Sequence, residues 1–347
     1  MDTILNEART VSALVPWSAQ DAQAYRRQPL VAPHRLHELG LSTDTSLLQL
    51  LDQLPRHQLQ AFTMGTDPQG YKDWMPVDTT GASGKDLLAA VTAGRLWYNI
   101  HQVHLVDERY RTILAQLYDE LADQCAGFHP QNMSSTIILS SPSSQTYYHA
   151  DAQPNLLWQM RGIKRIWVYP AGDRELVDQD RMEDIFANQC DEEVPFRVDW
   201  DKKAQVFDLH PGDVISWPQN APHRVVNVQG LNVSLSTVHE TEETDRRKLV
   251  YCANRFFRRQ CGLRFRATRE IGMVSYLKRF AYRAARRMGL VPPDARRVYL
   301  TTLRIDPQAP NGVRELGGEP ILTEFSRKSF ALKRDATGKV TAVPLKK

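Results

Sequence analysis

Cysteine is scarce in this chain, and long apolar runs are missing. The four cysteines, Cys125, Cys190, Cys252 and Cys261, lie far apart and form no CxxC pair. A disulfide framework and a zinc knuckle are therefore not indicated. No apolar stretch approaches the roughly 20 residues that a membrane-spanning helix needs. The first residues, MDTILNEARTVSALVPW, carry acids and an arginine instead of the basic start and unbroken apolar core of a secretory signal. We therefore expect a cytoplasmic protein with reduced thiols and no transmembrane segment.

Charge is unevenly distributed along the 347 residues. The hydrophobic fraction of 42% and the charged fraction of 24% are ordinary for a globular protein, and the formal net charge is only +4. Residues 173–201, however, hold eleven acids and three bases, whereas residues 246–287 hold fourteen bases and one acid. This asymmetry says more about partners than the net charge does.

The distribution of apolar and turn residues predicts three regions. Residues 1–130 form a mixed α/β region that packs on a barrel, residues 131–240 form the barrel itself with an acidic insertion at 173–201, and residues 241–347 form a basic, helical region. Short β-rich segments separated by turn residues predict a mainly β fold with flanking helices, either a sandwich or a double-sheet jelly roll of the cupin kind (a double-stranded β-helix). The eight predicted strands of the barrel are 136–139, 146–149, 155–160, 166–169, 205–209, 214–217, 224–227 and 231–238.

A candidate metal site lies within the predicted barrel. His149 and Asp151 are two residues apart in an apolar and aromatic segment, and alternate side chains of a strand share one face. His223, in the stretch GDVISWPQNAPHRVVN, can supply a third ligand. Two histidines and one carboxylate form the facial triad that suits non-haem Fe(II) and leaves coordination positions open.

The same segments resemble the JmjC or cupin-like branch of the Fe(II)/2-oxoglutarate oxygenases, which includes the asparaginyl hydroxylase of hypoxia signalling. The resemblance covers about residues 134–239. It depends on an H-x-D motif, a following Asn, a G-x-K motif and a GD…P…H segment. In this chain these are His149-Ala150-Asp151, Asn155, Gly162-Ile163-Lys164, and Gly212-Asp213 with Pro218 and His223.

The resemblance implies roles for individual residues. His149, Asp151 and His223 would be the catalytic metal ligands for Fe(II), with 2-oxoglutarate and O2 at the open positions. His210 competes as third ligand, but it lies outside the strand and precedes the Pro211-Gly212 turn, which favours a surface role. The resemblance implies that Lys164, Thr146, Asn155 and Ser236 bind the cosubstrate. Ser236 stands at the position where the hypoxia enzyme has an Asn.

The resemblance implies hydroxylation of a protein or peptide side chain. Two alternatives stay open: the same chemistry on a small molecule such as an amino acid or natural-product intermediate, and a non-catalytic cupin-like regulator that binds nucleic acid or a partner through its basic C-terminal region. Lysine demethylases often carry H-x-E where this chain has Asp151, which disfavours that activity.

A basic amphipathic helix is predicted over residues 274–288. Its apolar face could pack on the barrel or on a second copy, giving a homodimer through the C-terminal helices. Its basic face could bind nucleic acid or an anionic membrane, although aromatic residues are not interleaved as single-strand binding requires. Docking against the acidic insertion, of the same chain or of a partner, is a third possibility.

Overall fold

The computed structural model describes residues 12–324, 330–334 and 340–344. Its α-helices are α1 (Ala19–Ala24), α2 (Asp44–Gln53), α3 (Gly84–Ala93), α4 (Val103–Val106), α5 (Glu108–Gln124), α6 (Gln179–Phe186), α7 (Glu242–Cys261) and α8 (Met273–Arg287). Short 3-10 helices are Leu36–Leu39, Arg56–Gln58, Val198–Lys203 and Pro310–Gly312. The strands are β1 (Leu30–Pro33), β2 (Leu59–Met64), β3 (Trp74–Asp78), β4 (Leu96–His101), β5 (Gln131–Ser140), β6 (Gln145–His149), β7 (Asn155–Val168), β8 (Gln205–Leu209), β9 (Asp213–Ser216), β10 (His223–Glu240), β11 (Val298–Thr301), β12 (Leu303–Ile305), β13 (Val313–Glu315), β14 (Ile321–Glu324), β15 (Phe330–Arg334) and β16 (Val340–Pro344).

Two long strands, β7 and β10, pair antiparallel and connect the two walls of the barrel. The first half of β10 pairs with β6 and with the second half of β7, which in turn pairs with β8. The second half of β10 pairs with β5 and with the first half of β7, which in turn pairs with β9. Each long strand thus belongs to both walls, which confirms the predicted jelly roll. We predicted two strands in place of each long one, because Gly162 and Gly230 resemble turn residues. In the structure both glycines lie within the long strands, with positive φ angles of 76° and 69°.

The N-terminal region extends one wall of the barrel. Strand β4 pairs with β5, and β2 and β3 follow in antiparallel order. The largest apolar core combines the stripe of α5, including Ile113, Leu117 and Leu121, with barrel residues such as Leu139 and Trp158. Helix α5 begins where Asp107 accepts a hydrogen bond from the Arg109 backbone N–H. One sheet and one core therefore cross residue 130, so the domain boundary there stays a prediction.

The acidic insertion lies between β7 and β8, as predicted. It contains α6, which Asp178 caps by accepting a hydrogen bond from the backbone N–H of Arg181. Helix α7 packs against α6 with two sets of ion pairs. Arg255 Nε is 2.6 Å from Asp184 Oδ1, and Arg258 Nε is 2.9 Å from Glu183 Oε2. Part of the basic region therefore docks on the insertion of its own chain.

The C-terminal region is helical only as far as Arg287, and strands follow. Helix α8 packs against α7, but not in the predicted orientation. Its buried residues are Ser275, Lys278, Tyr282 and Ala285, so one lysine of the predicted basic helix faces the protein interior. The predicted apolar face does not pack on the barrel in this structure. Among residues 12–324, no helix is both long and apolar enough to cross a bilayer.

Candidate metal and cosubstrate site

Strand β6 delivers His149 to the site at its last residue. Asp151 follows in the loop between β6 and β7. The expectation that it shares a strand face with His149 is therefore wrong. The loop nevertheless turns the carboxylate back toward the imidazole. His223 opens β10, which pairs with β6 at the register His223↔His149. The register between two neighbouring strands therefore brings together ligands that are 74 residues apart in the sequence.

The three predicted ligands converge on one point. His149 Nε2 is 3.7 Å from Asp151 Oδ1, and His223 Nε2 is 3.6 Å from Asp151 Oδ2. The imidazole centroids are 4.0 Å apart. One ligand atom from each residue lies within 4.8 Å of the others, and within the described residues this is the only such group of three His, Cys, Asp or Glu side chains.

Hydrogen bonds fix which nitrogen of each imidazole faces the centre. His149 Nδ1 is 2.7 Å from the Tyr147 carbonyl oxygen, and His223 Nδ1 is 3.1 Å from the Ala221 carbonyl oxygen. A carbonyl only accepts, so each Nδ1 is the protonated donor and each Nε2 keeps a free lone pair. Burial and the neighbouring His149 hold the pKa of His223 well below its ordinary value of 6.5, which favours the neutral ligand form.

This donor set fits a divalent transition metal. Ligand bonds of about 2.0–2.2 Å at right angles place neighbouring donor atoms about 3 Å apart. The observed separations are larger, 3.7 and 3.6 Å to the two different oxygens of Asp151 and at most 4.8 Å within the triad, so the side chains would close in on a bound metal. A mixed N2O set with open positions suits Fe(II) among the metals that proteins bind.

The carboxylate ligand is held by amides that the motif only partly indicates. Asn155 Nδ2 donates to Asp151 Oδ2 at 3.1 Å, and Asn220 Nδ2 donates to the Asp151 carbonyl oxygen at 2.7 Å. Gln219 Nε2 donates to the carbonyl oxygen of Ala152 at 2.8 Å. Sequence reasoning placed Asn155 at the cosubstrate or substrate. It missed Gln219 and Asn220, for which the turn sequence carries no specific signal.

Lys164 is a buried amine that lines a cavity together with the two histidines. Its side chain is 3% exposed and donates a 2.6 Å hydrogen bond to Ser234 Oγ. No carboxylate of the described residues forms an ion pair with it. Burial lowers its pKa to about 7, because an ammonium group away from water is costly unless an anion accompanies it. The position therefore suits the carboxylate of a bound ligand.

Thr146 and Asn155 line this cavity together with Lys164, His149 and His223. The apolar side chains that line the cavity include Ile138, Leu157, Trp217 and Val225. Ser236 reaches the site only through another residue, because its hydroxyl donates to Asn155 Oδ1 at 3.0 Å.

Asn227 is a cavity residue that the motif did not reveal. It pairs with Lys164 across the two long strands, and its side chain donates to Ser140 Oγ at 2.8 Å and to the Ser141 carbonyl oxygen at 2.7 Å. Strand alternation could have placed it on the inner face, two positions beyond Val225.

The acidic insertion reaches the metal-binding strand. The Ala150 backbone N–H donates to the Glu192 carbonyl oxygen at 3.0 Å, and the Ala152 N–H donates to Glu192 Oε1 at 3.1 Å. Glu193 forms an isolated β-bridge with His149. His210, by contrast, is exposed on its turn and outside the triad.

A protein-family model matches the part of the chain that contains the barrel. Residues 82–245 match the family described as the cupin-like domain, which confirms the predicted cupin-like resemblance. Among solved structures, ycfD of Escherichia coli has 13% sequence identity and a TM-score of 0.46, with 78% of this chain and 67% of that chain covered. YcfD, a ribosomal oxygenase from Escherichia coli, in complex with cobalt and 2-oxoglutarate has 13% identity and a TM-score of 0.42, with 75% and 63% covered. This chain spans about two thirds of those chains. No curated protein matched the sequence.

Proposed function

We propose that the cupin-like domain of this chain is an Fe(II)- and 2-oxoglutarate-dependent dioxygenase that hydroxylates a side chain of a protein or peptide. One observation carries the proposal. The two histidines of a two-histidine, one-carboxylate triad, both with Nε2 free, line the same cavity as Lys164, a buried amine without an anionic partner among the described residues. The first feature suits the metal, and the second suits the distal carboxylate of the cosubstrate.

The residues present would divide the work as follows. His149, Asp151 and His223 would hold Fe(II), and Lys164 with Thr146 would receive the distal carboxylate of 2-oxoglutarate. When bound, Fe(II) would supply the activation of O2 at the expense of 2-oxoglutarate, which is converted to succinate and CO2. One oxygen atom would enter succinate, and the other would convert a substrate C–H bond to C–OH. The protein contributes position and exclusion of water.

Secondary contacts hold this arrangement in place. Asn155 donates a hydrogen bond to Oδ2 of Asp151, and Ser236 in turn orients Asn155. Such partners of metal ligands commonly tune metal affinity and ligand orientation. We therefore assign Ser236 a positioning role and not a direct contact with the cosubstrate.

The opening of the site supports a chain-like substrate. The side chains of His149 and Asp151 stay 17% and 15% exposed, whereas that of His223 is 3% exposed. The triad therefore meets the surface on the side where the insertion places Glu192 and Glu193. This partial exposure suits a peptide side chain that enters from the surface better than a small molecule enclosed by the protein would.

The test begins with binding and uncoupled turnover. Anaerobically purified protein is titrated with Fe(II) and then with 2-oxoglutarate, and succinate is measured after O2 is admitted. We expect stoichiometric metal, 2-oxoglutarate binding that depends on the metal, and slow succinate formation. His223→Ala should abolish all three, and the exposed His210→Ala should change none. Equal metal content in wild type and His223→Ala would contradict the proposal.

Substrate class is tested separately. Peptide pools of basic, neutral and acidic composition are incubated with the loaded enzyme, and mass spectrometry seeks the gain of one oxygen atom. Oxidation of a peptide with stimulated succinate formation supports the proposal. Stimulation by free amino acids alone would support the small-molecule alternative.

A further inference from the structure

A chain of buried hydrogen bonds begins at Lys164 and ends inside the barrel wall. Lys164 Nζ donates to Ser234 Oγ at 2.6 Å, and Ser234 Oγ donates to Gln159 Oε1 at 2.7 Å. We call these three residues the lysine relay. Ser234 and Gln159 are fully buried, and neither is among the residues that line the cavity. These two residues therefore act on a ligand in the cavity only through Lys164.

The far end of the lysine relay is anchored in one orientation. Gln159 Nε2 donates to the carbonyl oxygens of Arg161 and Gly162 at 2.7 and 2.9 Å, and to Asn232 Oδ1 at 2.8 Å. Carbonyl oxygens only accept hydrogen bonds, so the nitrogen of the Gln159 amide must face them. The oxygen of the same amide therefore faces Ser234.

Gly162 of the G-x-K motif makes room for this anchor. Its φ of 76° is a left-handed conformation that favours glycine. A Cβ atom at this position would lie 2.7 Å from Asn232 Nδ2 and 2.7 Å from the Leu231 carbonyl oxygen. The glycine that precedes Lys164 in the motif thus supports the same hydrogen-bond network as the lysine itself.

The anchor also fixes the direction of each hydrogen bond in the lysine relay. A serine hydroxyl has one hydrogen, and Gln159 Oε1 accepts it, so Ser234 is left to accept from Lys164. If Ser234 turned its hydrogen toward the lysine, Gln159 Oε1 would be buried without a donor from the described residues, which costs free energy. The relay therefore favours a lysine that donates, and an ammonium group has two further hydrogens for another acceptor.

We infer that Gln159 is a positioning residue for cosubstrate binding: it occupies the hydrogen of the Ser234 hydroxyl, so that Lys164 keeps its own hydrogens for the distal carboxylate of 2-oxoglutarate. The inference rests on the proposed function for the identity of the ligand. Without Gln159, the Ser234 hydroxyl is free to donate to the lone pair of a neutral lysine. A hydrogen bond to the neutral form lowers the pKa of an amine, so less of the lysine would carry the charge that the carboxylate needs.

The strands beside Lys164 bring no counter-charge to it. Its cross-strand partners are Asn227 on β10 and Leu209 on β8. The neighbouring Arg165 pairs with Asp208 at the surface. The protonation of Lys164 therefore depends on its burial and on the lysine relay.

Histidines are the other titratable groups around the relay. His149 and His223 line the cavity. Behind the relay, His34 Nε2 lies 3.1 Å from the Gln159 carbonyl oxygen, and the ring of His37 packs against that of His34 with centroids 5.8 Å apart. Burial lowers the pKa of His34 to about 4. Because all four histidines are kept in every variant below, a difference in titration between variants is assigned to the lysine.

The first experiment measures the pKa of Lys164 without any ligand. Protein isotopically labelled at lysine Cε is titrated by NMR, and the Lys164 signal is identified by its absence from Lys164→Met. We expect Gln159→Leu to lower this pKa by about one pH unit, because one hydrogen bond changes the preference for the charged form about tenfold. An unchanged or raised pKa in Gln159→Leu overturns the inference.

Gln179→Leu is the matched control for this titration. Gln179 also donates from its amide to two acceptors, Glu183 Oε1 and the Phe265 carbonyl oxygen, but it lies in the insertion. The substitution should leave the pKa of Lys164 unchanged. A fall equal to that in Gln159→Leu would assign the effect to a general loosening of the chain and would overturn the inference.

The second experiment measures 2-oxoglutarate binding to Fe(II)-loaded protein by anaerobic calorimetry. Gln159→Leu should weaken 2-oxoglutarate about tenfold at pH 7.5, while Fe(II) affinity stays unchanged. In a Lys164→Met background the same substitution should have no effect, because Gln159 acts through the lysine. Equal weakening in both backgrounds would mean that Gln159 only supports the barrel, which overturns the inference. A wild type that does not bind 2-oxoglutarate contradicts the proposed function, and the NMR titration still decides on the relay.

A second variant keeps the test valid if Gln159→Leu does not fold. That substitution leaves three acceptors without their donor, whereas Ser234→Ala removes a single hydroxyl. Ser234→Ala takes the acceptor away from the Lys164 ammonium group, so it should lower the pKa of the lysine and weaken 2-oxoglutarate about tenfold. Wild-type affinity or an unchanged pKa in Ser234→Ala overturns the inference.

Discussion

Lys164→Met should stabilise the protein while removing its affinity for 2-oxoglutarate. The lysine is buried and donates only to Ser234 among the described residues. Methionine has a similar length and no charge. Ser234 would keep its hydrogen bond to Gln159 Oε1 at 2.7 Å, so the substitution leaves the Ser234 hydroxyl with a hydrogen-bond acceptor.

The gain in stability follows from the lowered pKa. Burial brings the pKa of Lys164 from 10.5 to about 7. At pH 7.5 the unfolded lysine is charged, and giving up its proton on folding costs about 4 kcal/mol, three pH units at ~1.36 kcal/mol each. Allowing for imperfect packing of methionine, we expect a gain of about 2–3 kcal/mol and a Tm rise of about 3–4 °C for a chain of this length.

The pH dependence of the free energy of unfolding provides an independent test of the predicted stabilisation. Between pH 7 and 10.5 the unfolded lysine binds more protons than the folded one, so this group makes wild-type stability rise with pH across that window. Below pH 7 its contribution is constant. The Met variant should lose this slope, which chemical denaturation at pH 7, 8 and 9 can measure.

The loss in binding follows from the missing cation. Without Lys164 a buried carboxylate would have no charged partner, which costs at least about 3 kcal/mol, or about 100-fold in affinity. Titration calorimetry with 2-oxoglutarate in the presence of metal measures this, while Fe(II) affinity should change little. Arg165→Met is the matched control, because the neighbouring Arg165 is half-exposed and paired with Asp208 at the surface. A destabilised Met variant, or one with wild-type affinity for 2-oxoglutarate, would refute the role of Lys164.

Three further predictions follow from single contacts. Asp151→Ala should lower bound metal at least tenfold without unfolding the chain, as metal analysis after dialysis and circular dichroism would show. Arg258→Met should destabilise the chain by about 3–5 kcal/mol in denaturant titrations, because Glu183 would stay buried without its cation, and the double variant with Glu183→Gln should recover most of that loss. Affinity for 2-oxoglutarate should fall by up to about tenfold per pH unit above pH 7, because Lys164 must take up a proton to bind a carboxylate, and calorimetry in buffers of different ionisation enthalpy should detect that uptake.

The sequence predicted most of the site because its chemistry depends on a few local spacings. His149, Asp151 and His223 converge as the motif indicated, and Lys164 occupies the same cavity. These residue types are unusual inside a barrel, since a buried charge needs a ligand or a partner. Their identity alone therefore carried much of the inference.

What the sequence did not reveal depends on long-range packing. Asp151 lies in a loop and not on a strand, and residues 192–194 of the insertion pair with the chain beside His149. Asn220 supports that loop from a turn 69 residues away. Neither contact has a local signature, because an amide on a turn is common without such a role.

The opposite charges of residues 173–201 and 246–287 are the clearest case in which one sequence pattern has two structural outcomes. On α7, Arg255 and Arg258 form ion pairs within the chain, because they contact the acids of α6 and hold the insertion in place. The insertion in turn pairs with the strand that ends at His149, so these ion pairs support the geometry of the metal ligands. On α8, Arg283 and Arg287 have no comparable buried acid and lie beside the exposed Phe280 and Met288 instead. The basic character of the region therefore corresponds to intramolecular docking in its first helix and to an exposed cationic surface in its second. Charge counts cannot separate the two helices, whereas the burial of Lys278 and the exposure of Phe280 do.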